Sequence, residues 1–95
     1  MDLADVTLET FTPLVGDAFR IAEPAAVELE LADATSAGDR PGGRQPFRLL
    51  FRGPRDPLLP QSIYRIEHAE LDPLEIFIVP IARDGEHTSY EAIFT

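Results

Sequence analysis

The sequence predicts a mainly β fold: a small antiparallel barrel or two-sheet sandwich of six strands with one short N-terminal helix. Apolar and polar residues alternate in several short segments, most clearly in residues 27–31. Gly, Pro and Asp-Gly sequences separate these segments. No segment offers the long crossover helices that an α/β fold requires. With 95 residues, the chain is expected to form one domain over residues 1–95.

The first predicted element is the helix. Leu8, Phe11 and Leu14 are spaced three residues apart, which places them on one helical face. Thr7 is a suitable N-cap residue, and Gly16 lies where the helix is expected to have ended. A helix this short is not stable alone, so we expect it to cover one end of the sheet.

The alternating segments that follow are the predicted strands: residues 19–21, 27–31, 47–52, 61–68, 74–82 and 89–94. Four segments between them are predicted to lie outside the ladders. Residues 33–46 are small, polar and rich in Gly and Pro, and residues 53–60 contain three prolines, which cannot donate ladder hydrogen bonds. Residues 71–73 and the Asp84-Gly85 pair are predicted turns.

The fifth predicted strand differs from the others because both of its faces are apolar. One face carries Leu74, Ile76 and Ile78, and the other carries Phe77, Val79 and Ile81. Such a strand is central, covered by another part of its own domain, or in contact with another chain. We expect internal coverage; an exposed apolar face would instead mark a partner or self-association surface.

The charge is strongly acidic and unevenly distributed. The net charge is −9, with −8 in residues 1–39, +5 in residues 40–65 and −6 in residues 66–95. This balance predicts no binding to nucleic acid or to anionic membranes. The N-terminus lacks the features of a secretion signal, and no apolar stretch approaches the roughly 18 residues of a membrane span. The sequence therefore predicts a cytoplasmic protein.

The central arginines have a structural interpretation. If the strand at 27–31 pairs with the strand at 47–52, Glu28 and Glu30 lie opposite Arg48 and Arg52. Cross-strand ion pairs of this kind contribute roughly 0.2–1 kcal/mol each.

No catalytic residue, metal ligand or cofactor is predicted. The chain has no cysteine, which excludes disulfides and thiolate metal sites. The serines lack the context of an activated nucleophile. His68 has Glu67 and Glu70 nearby, but on a strand Glu67 points away from His68.

Four motifs together resemble an uncharacterised bacterial family of short proteins that form a domain of unknown function. The motifs are residues 8–16 (LETFTPLVG), 50–54 (LFRGP), 76–81 (IFIVPI) and 90–94 (YEAIF). The resemblance implies a gene neighbourhood that encodes phage-tail-collar-like proteins, and hence an accessory role in a phage-tail-like or surface-fibre assembly. It identifies no site.

These observations predict a non-enzymatic protein-interaction or structural accessory module. The expected partner is another protein, for example a tail-collar-like protein, and a homo-oligomer is a second expectation. We expect the contacts in residues 47–60 and 76–81, and the candidate partner-binding residues are Arg52, Arg55, Tyr64, His68 and Phe77. The alternative is a small-molecule-binding β-barrel or small enzyme with a pocket that contains Tyr64 and His68.

Overall fold

Six antiparallel strands close into a barrel in the computed structural model, which describes residues 3–39 and 41–95. The strands are β1 (Ala18–Ile21), β2 (Val27–Ser36), β3 (Phe47–Pro54), β4 (Ser62–His68), β5 (Leu71–Arg83) and β6 (His87–Phe94). Their order around the barrel is β1-β2-β3-β6-β5-β4, and the pairing of β1 with β4 closes it. The predicted mainly β fold is confirmed, and the sheet is a barrel rather than a sandwich.

The barrel interior is filled by every second residue of the strands. Burial alternates along β2, β3 and β6, as expected when one face of a strand packs on a core and the other faces solvent. The largest fully buried side chains include Phe19, Leu29, Leu31, Phe51, Ile76 and Tyr90.

The N-terminal segment closes one end of the barrel. Helix α1 (Leu8–Phe11) lies between two 3₁₀ turns, Leu3–Asp5 and Thr12–Leu14. Phe11 is fully buried, and its ring centroid lies 5.9 Å from those of Phe47 and Phe94, which stack on each other at 4.5 Å. The predicted role of the helix as a cover for the end of the sheet is therefore confirmed.

Arg44 ties this end together. Its Nη1 donates to the carbonyl oxygens of Leu3 (2.6 Å) and Val6 (3.0 Å), and its Nη2 donates to that of Thr95 (2.8 Å). The guanidinium also lies over the rings of Phe47 and Phe94, at 5.8 and 5.9 Å. One side chain thus joins residues from both ends of the chain through charge-assisted hydrogen bonds and cation–π contacts.

The connection between β3 and β4 closes the opposite end. Leu59 is buried, and its N–H donates to the hydroxyl of Tyr90 at 3.0 Å. The hydroxyl of Tyr64 donates to the carbonyl of Pro60 at 2.6 Å. The proline-rich segment is therefore a structured connection, as predicted.

Three segments predicted to lie outside the ladders belong to strands instead, because each of them pairs with a neighbouring strand. Residues 33–36 are not loop, because a bulge between Leu31 and Asp33 lets β2 continue along β3. Gly53 and Pro54 do not leave the ladder, because they pair with Thr88 and His87. Residues 71–73 are not a turn; they begin β5, and the turn lies at residues 69–70.

The predicted hairpin at Asp84-Gly85 is confirmed. The Asp84 carboxylate accepts the backbone N–H groups of Glu86 and His87, both at 2.7 Å, and these two hydrogen bonds lower the pKa of Asp84. Within residues 3–39 and 41–95, no helix is long and apolar enough to cross a membrane.

Candidate interaction surface

Large apolar side chains form a row on the outer wall of the barrel. Ile63 on β4 is the direct cross-strand partner of Phe77 on β5, and Ile93 on β6 lines the same groove as Phe77. Their exposed fractions are 63%, 51% and 53%. Ile81 lies four residues after Phe77 on the same outward face of β5, and it is 46% exposed. We call these four residues the outer apolar face.

A groove crosses this face where β5 and β6 diverge. Among the described residues, the β5–β6 ladder extends from Arg83↔Thr88 to Val79↔Glu91 and stops before Phe77. Below that point a groove of about 220 Å³ opens, and it is lined by Leu3, Arg44, Ile76, Phe77, Ile93, Phe94 and Thr95. Phe77 and Ile93 are therefore the two residues of the outer apolar face that border a concave surface.

The expected internal coverage of β5 is wrong for its outward face. Leu74, Ile76 and Ile78 point into the core, whereas Phe77 and Ile81 are about half exposed. The reason is geometric: closing the barrel buries only the inner face of each strand, and the helix covers the end of the barrel rather than its wall. The apolar pattern on the second face of β5 therefore corresponds to exposed surface.

The charges around this face are nearly balanced although the chain is acidic. Arg48 forms an ion pair with Glu91 beside Ile93. Arg65 lies opposite Glu75 in the β4–β5 ladder and 3.8 Å from Glu67. The two arginines and three glutamates sum to a charge of −1, so the surroundings of this face are less acidic than the chain as a whole.

Of the two cross-strand pairs predicted between β2 and β3, the register contains one. Glu30 lies opposite Arg52, as expected. Arg48 instead lies opposite Thr35 and pairs with Glu91. Glu28 lies opposite Arg20 of β1. The antiparallel direction of β2 and β3 places Glu28 and Arg48 on opposite sides of the Glu30↔Arg52 pair, so they do not meet.

The candidate partner-binding residues do not form one site. Phe77 lies on the outer apolar face, whereas Arg52 lines a separate cleft with Glu28 and Glu30. Arg55 has 46% of its side chain exposed and lies 3.2 Å from Asp56, which also pairs with Arg83.

Tyr64 does not contribute to the surface. It is only 5% exposed, and burial raises the pKa of its hydroxyl, which donates to Pro60. His68 lines a cleft of about 270 Å³ with Phe19, Arg20 and Glu67, among others, and Tyr64 is not part of that lining. The predicted pocket joining Tyr64 and His68 is therefore not this cleft.

His68 is held by three contacts, one of them with a residue that sequence reasoning missed. Its Nε2 lies 2.8 Å from Oδ2 of Asp17, its Nδ1 accepts the Glu70 N–H at 3.0 Å, and its ring lies 4.7 Å from that of Phe19. Because Nδ1 is an acceptor, the proton of the neutral imidazole is on Nε2 and is donated to Asp17. No local signal links Asp17 to His68, since 51 residues separate them.

Asp17, His68 and Glu70 have ligand atoms within 4.8 Å of one another, a spacing that raises the question of a metal site. The hydrogen bonds argue against it. A metal on Nε2 leaves the imidazole proton on Nδ1, where it would face the Glu70 N–H, so two donors would oppose each other. A metal on Nδ1 would displace the same N–H. The residues as arranged form a histidine–carboxylate pair and do not fit a metal.

A protein-family model matches residues 6–94, and its description is a domain of unknown function (DUF6916). The chain belongs to this family. The predicted resemblance to a family of unknown function is therefore confirmed. Comparisons with curated proteins and with solved structures find no match. The part of the DUF6916 domain matched here contains all six strands and the whole outer apolar face.

Proposed function

We propose that this DUF6916 domain is a non-enzymatic protein-interaction module that binds another protein through the outer apolar face. The observation that carries the proposal is the contiguous exposure of Ile63, Phe77 and Ile93, with a groove between the last two. Contiguous exposed apolar surface on a small domain is typical of protein-binding sites, whereas scattered apolar residues are not.

The shape and charge of the face support a protein ligand. A groove beside an exposed aromatic ring accepts an apolar side chain of a partner, and such central anchors dominate the binding energy of protein interfaces. The ion pair between Arg48 and Glu91 lies at the rim, where polar groups are usual. As the class of partner we propose a component of a phage-tail-like or surface-fibre assembly, which is the expectation drawn from the sequence motifs.

A comparison of two serine variants tests the proposal. Phe77→Ser removes the anchor, whereas Val15→Ser removes an apolar side chain of similar exposure (42%) from a different part of the surface. Tagged wild-type protein and both variants are used for affinity capture from a host lysate, with quantification by mass spectrometry. Melting temperatures measured in parallel show whether each variant is folded.

The wild type and Val15→Ser are expected to retain the same protein in near-stoichiometric amounts. Phe77→Ser is expected to lose it, with affinity reduced by about 30-fold or more, as for an interface residue worth about 2 kcal/mol. Equal retention by both variants, or no stoichiometric partner of the wild type, would contradict the proposal.

A further inference from the structure

The second exposed feature of the barrel is an unpaired strand edge on β4. Residues 62–66 pair with β5 along one side. On the other side, β1 pairs only with Ile66 and Glu67, so no strand of the described chain pairs with residues 62–65 there. A strand edge of this kind presents free N–H and C=O groups to any other strand that approaches.

This edge lacks some of the devices that usually prevent strand addition. Natural edges are protected by being very short, by charged side chains, by proline, by bulges or by a covering loop, and of these residues 62–65 have a short edge and one charge, Arg65. Residues 62–65 contain no proline or lysine, and the bulge of β4 lies beyond them, between Ile66 and His68. Ile63, at the centre of the edge, is 63% exposed, more than the other exposed large hydrophobic residues of the described chain.

The face alternation of β4 restricts how two copies of this edge could pair. Directly opposed residues of an antiparallel pair point to the same face of the sheet, whereas successive residues of one strand point to opposite faces. A two-fold axis between two residues would place an outward residue opposite an inward one, so the axis must pass at a residue. An axis at Tyr64 would place Ser62 of one copy against Ile66 of the other, whose edge is already occupied by Ile21. An axis at Ile63 pairs residues 62–64 of the two β4 strands and places Arg65 opposite Gln61, the residue before β4.

We propose that two copies of the domain pair antiparallel through β4, with the two-fold axis at Ile63. The outward Ile63 of each copy then lies against its symmetry mate, and Arg65 lies opposite Gln61 of the second copy. Arg65 is the one charged residue in 61–65, so no acidic side chains oppose each other although each chain carries a net charge of −9.

The pairing has a consequence for the outer apolar face. Ile63 lies beside Phe77 in the β4–β5 ladder, so the outer apolar face of each copy reaches the two-fold axis. The two faces meet there and form one continuous apolar band across both copies. The dimer is formed by the backbone edge of β4, whereas the proposed partner site is anchored by Phe77 on β5 and Ile93 on β6, and Ile63 belongs to both surfaces. The two proposals can therefore fail separately.

Single cysteines test the register directly, since the chain has no cysteine of its own. Directly opposed residues have Cα atoms about 4.5–5.5 Å apart, within the roughly 4.4–6.8 Å range of disulfides. Ile63→Cys is therefore expected to give a disulfide-linked dimer under mild oxidation. In Arg65→Cys the two thiols lie four residues apart along the strands, about 13 Å, and this control is expected to remain monomeric.

Sedimentation of the unmodified protein gives a readout that does not depend on a variant. A mass of two chains at micromolar concentration, together with crosslinking at position 63 and not at 65, supports the dimer. A monomeric wild type, or equal crosslinking at both positions, overturns it. If the dimer fails while Phe77→Ser still loses its captured partner, only this inference is lost.

Discussion

At the scale of single residues, Gly53 shows how closely the barrel wall is packed. It lies on β3 opposite Thr88, and a Cβ at this position would lie 2.6 Å from Cδ2 of Leu29, which is fully buried. Cores resist added atoms because neighbouring side chains have no free space into which to move. The reason for glycine here is therefore the lack of space rather than an unusual backbone angle.

Gly53→Ala is expected to lower the free energy of unfolding by about 1–3 kcal/mol, the usual cost of overpacking. Gly85→Ala is the matched control, because nothing lies within 4 Å of its added Cβ and its φ is not positive. The control is expected to change stability by less than about 1 kcal/mol. Urea denaturation of the two variants measures the difference, and equal stabilities would show that Leu29 moves aside easily.

At the same scale, some candidate residues could be predicted from sequence and others could not. Phe77 was found because β5 is apolar on both faces. Ile63 and Ile93 were not, because the local pattern does not show which outward residues of β4 and β6 lie beside Phe77, and only the strand order brings them there. The Asp17–His68 pair was missed for the same reason.

At the scale of elements, the strands pair over very different lengths. The β3–β6 ladder has eight consecutive register pairs, from Phe47↔Phe94 to Pro54↔His87. The β1–β4 seam has two, Arg20↔Glu67 and Ile21↔Ile66. Since the opening of a ladder requires the loss of its hydrogen bonds and its packing, the seam is the place where the barrel is expected to open first.

Amide hydrogen exchange can test this difference. Protected amides of β1 are expected to exchange at least about tenfold faster than those in the middle of β3, Leu49 to Phe51, because short ladders open at lower free energy. The measurement is residue-resolved exchange by NMR under conditions in which opening is in equilibrium. Equal protection of β1 and β3 would mean that the barrel opens only as a whole.

The strand pairings explain how much of each element could be predicted from the sequence. Alternation identified five of the six strands, because it reflects burial on one side of a sheet, and the fifth strand was identified by its continuous apolar run. The strand ends were less predictable. Pairing with β3 extends β2 past a bulge, and pairing with β6 keeps Gly53 and Pro54 in the ladder, so both depend on contacts that a local pattern does not contain.

At the scale of the whole molecule, the negative net charge opposes association of two copies, whereas the β4 edge favours it. Two chains with a net charge of −9 repel each other at long range, whereas the β4 edge brings no acids together. Salt screens the repulsion, with a Debye length that falls below about 10 Å above 0.1 M. Backbone hydrogen bonds and the contact between Ile63 side chains are affected much less.

Raising the salt concentration from about 0.05 M to about 0.5 M is therefore expected to strengthen the dimer, lowering its dissociation constant several-fold. Sedimentation equilibrium at both salt concentrations measures this. A dimer that weakened with salt would be held by ion pairs between the copies, which the Ile63-centred register does not contain.

Arg44 has a consequence for how the domain could be placed in a larger architecture. Because one guanidinium binds the carbonyls of both Leu3 and Thr95, these two residues lie side by side at the helix-covered end of the barrel. A domain with adjacent entry and exit points can be inserted into a surface loop of an unrelated host protein, where it branches off without separating the host's own strands or helices. It would also tolerate circular permutation, with residues 3 and 95 joined by a short linker and the chain reopened in the polar loop before β3.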